Sequence, residues 1–323
     1  MSYADVKSVA RDTAMEVFRE NATKLTREAH SIAYSRAEEF TENFLDEMMT
    51  TCPEALHQIQ EPGVQATILE AQSGYASTGD EDLANLLVEL LIGRMKRDAR
   101  DLTQLALSSA VSVAKDLRSA HFSLLSCNLF LKGVRLPVTS FEELAQGMDE
   151  ALYPIQDALY TIGPQDLDYL VGRGCLISAT GAISIGRYLR MNYPGICTRG
   201  FKADEWPESR LLMDTPLAEP HPENSGYYRV PIVTNMDLEV LLESYELEHL
   251  RGAAKEALQH NVMGDMEISS LLTSTRPRLT NTFSRWSFLG LEHYVNTATG
   301  TAIGHAHLRN VTGEELPPLG SFL

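Results

Sequence analysis

Residues 1–52 read MSYADVKSVARDTAMEVFRENATKLTREAHSIAYSRAEEFTENFLDEMMTTC, with no Gly and no Pro. Apolar side chains recur at Val6, Val9, Phe18, Leu25, Ile32, Phe40, Phe44, Leu45 and Met48, and Phe18, Leu25 and Ile32 are spaced by seven. Ala14, Ala22, Ala29, Ala33 and Ala37 lie beside this stripe, and the other faces carry mixed charge such as Arg27, Glu28, Arg36 and Glu38. One apolar stripe on an otherwise charged surface is the pattern of an amphipathic helix. Pro53 stops it, because proline lacks the N–H that a helix interior needs. The stretch therefore predicts a single helix of about 40 residues, against a globular mean of about 11–12. A helix that long packs against a partner over most of its length, either within its own chain or along a seam between copies. For the seam, Phe18, Leu25, Ile32, Phe40 and Phe44 are the candidate oligomerisation residues.

Downstream the pattern stays helical. Glu61-Pro62-Gly63 is a turn signal, and Val64 to Tyr75 reads as a helix. Thr78 stands three residues before Glu81, the spacing of a capping box, and opens a helix through Leu83, Leu86, Leu87, Leu90, Leu91 and Met95. That helix starts acidic and ends basic, which complements its dipole. Further helices run through Leu102 to Ala114 and Ser119 to Leu131, the latter nearly all apolar and expected at the core centre. Gly133 to Thr139, with Pro137, marks a boundary between a helical bundle over 1–135 and a second helical domain over 136–323. In the second domain, Ser140 and Glu143 form another capping box, Cys175 to Tyr193 reads as a longer apolar helix, and Asp237 to His260 as a charged, Leu-rich one. The Pro-rich 200–224 segment reads as a surface loop, Tyr227 to Val233 and Trp286 to Leu291 as short strands, and Thr299 to Arg309 as the last helix. The expected fold is mainly α: a long N-terminal amphipathic helix within a bundle, then a helical domain with a small winged-helix-like β element.

Composition narrows the function classes. The 323 residues carry 27 Lys+Arg against 44 Asp+Glu, a formal net charge of −17. Residues 1–140 hold 14 basic and 20 acidic side chains and the remainder 13 and 24, so neither half conceals a basic module. That field repels phosphate backbones and anionic lipid, which disfavours nucleic-acid and membrane partners. No stretch approaches the roughly 18–20 uninterrupted apolar residues of a spanning helix. Met1 to Arg11 has no apolar core of a signal peptide, and Cys52, Cys127, Cys175 and Cys197 are too scattered for a disulfide framework. These features predict a cytoplasmic protein with reduced thiols.

The chemistry-bearing motifs are sparse. Gly172-Arg173-Gly174 has Ile177 where a dinucleotide fingerprint needs its third glycine, and no Gly-Lys-Ser/Thr phosphate loop exists. Gly181 and Gly186 read instead as close-packing positions. There is no His-Glu-x-x-His among the nine histidines; His305 and His307 diverge on a helix, and His249 and His260 on one helix stand about 16 Å apart. No metal or cofactor is expected. An enzyme site would have to be assembled from distant residues such as Arg173, Glu246 and His249. Arg94, Lys96, Arg97 and Arg100 form the densest basic run and are the candidate anion or partner contact.

Two segments carry a family resemblance. Asp82-Leu83 through Arg94, followed by Leu102 to Leu125, is an acidic start, a Leu-rich helix ending in Arg, and a helix leading into an apolar one. Asn296-Thr297-Ala298-Thr299-Gly300-Thr301-Ala302-Ile303-Gly304 looks like the Leu-Thr-x-x-Gly-x-x-Ile-Ala end of a winged-helix-like unit, with Asn where Leu is the pattern. Together, over about a third of the chain, they resemble a group of uncharacterised bacterial helical proteins and, more loosely, the abortive-infection alpha family of phage defence. The resemblance implies a helical fold, a bacterial cytosolic setting and a defence role, and transfers no catalytic residue. The first functional expectation is thus a homo-oligomer acting through contacts with itself or another protein. The alternatives are an enzyme with a dispersed site and a DNA-binding regulator using the C-terminal unit.

Overall fold

The structure, a computed structural model, describes residues 3–21, 27–97 and 100–323. Its elements run in chain order as α1 (Tyr3–Asn21), α2 (Arg27–Thr51), α3 (Pro62–Thr78), α4 (Glu81–Met95), α5 (Leu102–Ala114), α6 (Ser119–Gly133), α7 (Phe141–Leu152), α8 (Gln156–Leu159), α9 (Pro164–Gly172) and β1 (Leu176–Ser178). They continue as α10 (Ile185–Asn192), α11 (Ser209–Met213), β2 (Glu219–Pro220), β3 (Tyr228–Arg229), α12 (Asn235–Ser244), α13 (Arg251–Gln259), α14 (Asp265–Thr275), α15 (Leu279–Leu289), β4 (Tyr294–Asn296) and α16 (Ala298–Thr312). The fold is mainly α. Two compact units are interleaved along the chain, not consecutive as a division into 1–135 and 136–323 would have it. The first takes Met1–Phe130, Pro154–Ser178 and Tyr294–Leu323; the second takes Leu131–Tyr153 and Ala179–His293.

In the first unit the expected 40-residue helix is instead two helices folded against each other. Lys7 pairs with Asp46, Arg11 with Glu38 and Glu42, and Arg19 Nη2 donates to Tyr34 Oη at 3.1 Å, a register that runs α1 antiparallel to α2. Met15 and Phe18 of α1 bury against Ala33 and Ala37 of α2 and Ala76 of α3. The alanines that would suit a seam between copies thus serve a close approach within one chain. Phe40 and Phe44 are fully buried, Phe40 against the Tyr75 ring. Of the five residues proposed for oligomerisation, Phe18, Phe40 and Phe44 are therefore consumed inside the unit, Ile32 stays exposed, and Leu25 lies outside the described residues.

The Leu-rich α4 begins at Asp80, not at Thr78. The Asp80 carboxylate accepts from Leu83 N at 3.1 Å, whereas Thr78 still belongs to α3, whose C-cap is Gly79 at φ 67°. Asp at this position satisfies an orphan N–H and complements the helix dipole, so Asp80→Ala is expected to cost about 1 kcal/mol. Urea denaturation checks this: the midpoint should fall with an unchanged m-value.

The core of the unit forms where α16 packs against α4 and α5. Strand β4, which leads into α16, pairs antiparallel with β1, register Ile177 to Val295, rather than with a sequence neighbour. The C-terminal segment docks on the same helices: Leu319 is buried and Phe322 lies 5.6 Å from the His305 ring. All four cysteines are free and buried; burial pushes the Cys175 thiol up to about 11 and the Cys197 thiol of the second unit to about 12, so neither is a thiolate near neutrality.

The second unit departs further from the sequence reading. The 200–224 segment is not a surface loop: Phe201, Trp206, Leu212 and Leu217 form one cluster with Leu238, Leu242, Ala254 and Ala257. Four apolar anchors outweigh the polar, Pro-rich composition around them. The expected Asp237–His260 helix is broken at Glu246, whose φ of 56° is left-handed, so His249 and His260 share no helix. Trp286 is helical, because Leu279, Phe283, Trp286 and Leu289 bury one face at helical spacing. Cys175–Tyr193 splits into β1 and α10, with Ser184 capping the latter. The strand expected over 227–233 shrinks to Tyr228–Arg229, paired with Glu219–Pro220.

Candidate functional site

A cleft of about 500 Å³ opens in the second unit beside α10, α14 and α15. Local sequence builds it. Ser184 caps α10 by accepting from Arg187 N at 3.2 Å, and its hydroxyl donates to Asp265 Oδ2 at 3.0 Å in the first turn of α14. A Cβ on Gly186 would stand 2.1 Å from the Asp265 carbonyl oxygen, so only glycine lets α10 and α14 meet there. The close-packing role expected of Gly186 is therefore realised, while Gly181 meets nothing within 4 Å.

Apolar surface from Ile185, Met266, Phe283 and Trp286 combines here with polar groups that lack partners. Among the described residues, seven buried side-chain nitrogen or oxygen atoms have no hydrogen bond, and three of them, Asp265 Oδ1, Trp286 Nε1 and Glu292 Oε2, belong to residues of the cleft wall. Asp265 Oδ1 has Arg190 Nη2 at 3.1 Å, an ion pair without hydrogen-bond alignment; the other two have no hydrogen-bond partner among the described residues. A buried polar group left unpaired costs about 1–3 kcal/mol. Clustering of such groups marks a place where a ligand supplies the missing bonds. Arg187 adds an exposed guanidinium with no carboxylate partner among the described residues. Behind the indole, Lys132 Nζ sits 5.0 Å from the Trp286 ring centroid and donates to the Leu291 carbonyl at 2.8 Å. This fixes the ring's place by a cation–π contact.

None of these residues was a sequence candidate. Ser184 three residues before Arg187 is a capping signal, but nothing in the sequence links it to Asp265 or Glu292, 81 and 108 positions on. The candidates that sequence did raise lie elsewhere. Arg173 is in the first unit, paired with Asp116 and 5.5 Å over the Tyr169 ring; Glu246 and His249 are in the second, so no single unit assembles the three. His305 Nε2 meets the Pro317 carbonyl at 2.9 Å and His307 Nδ1 meets Ser126 Oγ at 2.8 Å, two buried, diverging rings, each with its own partner. In the basic run, Arg94 is buried, Arg97 stands 4.0 Å from Asp101, and Lys96 and Arg100 are exposed. No group of three metal-ligating side chains occurs among the described residues, and no described helix is long and apolar enough to cross a membrane.

No curated protein and no solved structure matches the chain. One family model matches residues 1–318, nearly the whole length, and the chain belongs to that family, whose function is uncharacterised.

Proposed function

We propose that the protein acts by binding, and that its second unit takes up a small polar molecule in the cleft beside α10, α14 and α15. The carrying observation is the gathering of Asp265 Oδ1, Trp286 Nε1 and Glu292 Oε2, without hydrogen bonds, around one cavity. The ligand must bring polar groups to this wall and lay an apolar portion over Ile185 and Phe283; the Glu292 oxygen and the indole N–H are sealed as the cleft stands, so the wall must shift before they bond it. Ser184 is already engaged as cap and as donor to Asp265, so its role is to hold the wall. Thermal-shift screening of the full chain with amino acids, nucleosides and monosaccharides tests this. At least one should raise the melting temperature, and Trp286→Phe and Glu292→Gln should each remove that shift relative to their own baselines. Silence across the panel, or a shift that survives both substitutions, overturns the reading.

A second reading, assembly with copies of itself or with another protein, is favoured by Met236 and Val240, 70% and 67% exposed one turn apart on α12. A bacterial cytosolic setting and a role in phage defence rest on the sequence resemblance described above. Light scattering coupled to size exclusion separates the forms: a monomer at every concentration removes homo-assembly.

A further inference from the structure

Buried arginines are almost always paired with carboxylates, because a guanidinium taken out of water without a counter-charge is costly. Arg94, in the last turn of α4, is only 8% exposed, yet it takes part in no ion pair among the described residues. This happens in a chain with 44 acidic side chains against 27 basic ones. Among the described residues its one bond is from Nε to Ser108 Oγ on α5, at 3.0 Å. Burial lowers its pKa. The two Nη atoms have no acceptor among the described residues, and they are not among the sealed, unpartnered polar atoms.

The guanidinium is aimed at the first turn of α3. A Cβ placed on Gly63 would stand 3.5 Å from Arg94 Nη2 and meet nothing else within 4 Å. That turn is itself short of acceptors. Pro62 has no N–H; Val64 N and Gln65 N both donate to the Glu61 carbonyl at 3.0 Å; Glu61 makes no side-chain cap. The Gly63 N–H is left open, and no acidic side chain occupies the first turn to complement the dipole. One open N–H of the helix N-terminus and a buried cation with no ion pair among the described residues thus meet at one exposed glycine, where a missing side chain leaves room. Each feature favours an anion, and together they offer a convergent donor set.

We propose that Arg94 and the Gly63 N–H bind an oxyanion of the phosphate class, either free phosphate or the phosphate of a small ester. The basic run from Arg94 to Arg100 is then not one patch. Arg94 alone faces the anion, and Arg97 is occupied by Asp101.

Isothermal titration and thermal shift on the full chain, at constant ionic strength with chloride as the control, test the proposal. Inorganic phosphate and glycerol phosphate are the probes. Phosphate should raise the melting temperature above the chloride control. Arg94→Met should abolish that rise while melting no lower than wild type in phosphate-free buffer, because it removes a buried charge that no described carboxylate pairs. Gly63→Ala, whose methyl makes only ordinary contact, should fold normally and weaken phosphate at least tenfold by filling the anion's place. Glycerol phosphate binding tenfold more tightly than phosphate identifies the ester as the ligand, and equal binding identifies free phosphate; both support the site. A phosphate effect no larger than chloride's, or one retained in both variants, overturns it. So does an Arg94→Met protein that melts well below wild type without phosphate, since that makes the guanidinium structural.

Discussion

Gly304→Ala should destabilise the first unit by about 3 kcal/mol, the upper part of the overpacking range. A Cβ at this position would stand 2.6 Å from the Leu125 carbonyl oxygen and 2.8 Å from its carbon, distances no side-chain rotation relieves because the neighbour is backbone. The crossing cannot simply widen. Ser126 Oγ donates to the Gly304 carbonyl at 3.0 Å, a buried bond between α6 and α16, and Asn296 Nδ2 at the end of β4, just before α16, donates to the Leu125 carbonyl at 2.9 Å, so separating the two helices strains both bonds. Gly300 is under the same constraint from the Cys175 carbonyl, 2.0 Å from its would-be Cβ. Gly252 in α13 supplies the contrast. It meets nothing within 4 Å, and alanine there should stabilise by about 0.5–1 kcal/mol, since it only reduces the freedom of the unfolded chain. Urea denaturation of Gly304→Ala and Gly252→Ala should give midpoints that move in opposite directions from wild type. Equal midpoints for Gly304→Ala and wild type would show that α6 and α16 do not touch.

The glycine pair also shows what could be read from sequence and what could not. A helix over Thr299–Arg309 follows from local pattern, and Thr297 capping Gly300 N at 3.1 Å completes it. That its glycines face two different backbone segments depends on partners about 125 and 180 positions away, which no local window contains. The N-terminal stretch failed for the complementary reason. Its apolar stripe is continuous, and a continuous stripe is equally satisfied by one long helix or by a hairpin closing on itself. Met15 and Phe18 meeting Ala33 and Ala37 resolve the ambiguity through tertiary contact. In the second unit, composition misled: the Pro-rich 200–224 stretch looks solvated until Phe201, Trp206, Leu212 and Leu217 are seen as one cluster. The candidate sites divide in the same way. Arg94 was visible as part of a basic run, but its burial and its bond to Ser108 are properties of α4 packing on α5. The cleft residues were invisible because their common feature is an unmade hydrogen bond, which has no sequence signature.

Acid should begin to destabilise the first unit above the range in which its carboxylates titrate, and His307 is the main cause. Its ring is 6% exposed, lies tilted 5.9 Å from the Phe122 ring, and has Nδ1 2.8 Å from Ser126 Oγ. The Ser126 hydroxyl donates to the Gly304 carbonyl, so Nδ1 is the nitrogen that carries a proton toward Ser126. Burial lowers its pKa from 6.5 to about 4, against a smaller opposing pull from Asp82. Between pH 6.5 and about 4 the unfolded chain therefore binds a proton that the folded chain refuses. Stability from this group is complete above pH 6.5 and is lost as pH falls to about 4, by about 3 kcal/mol in all. His305 and His121 act in the same direction, both lowered chiefly by burial, with the Pro317 carbonyl and Asp166 respectively opposing the shift. Asp166 does not contribute in that window. Burial would raise it, but the Gly163 N–H, His121 and Arg118 hold it down to about 2, so its share is lost as pH falls from 3.8 to about 2. Denaturant midpoints measured at half-unit steps from pH 7.5 to 4 should fall along this curve. In His307→Asn, which keeps a polar atom toward Ser126 but carries no titrating ring, most of the slope should vanish, leaving a constant loss from the smaller side chain. A wild-type stability flat from pH 7 to 5 would mean that the ring accepts its proton without leaving the core.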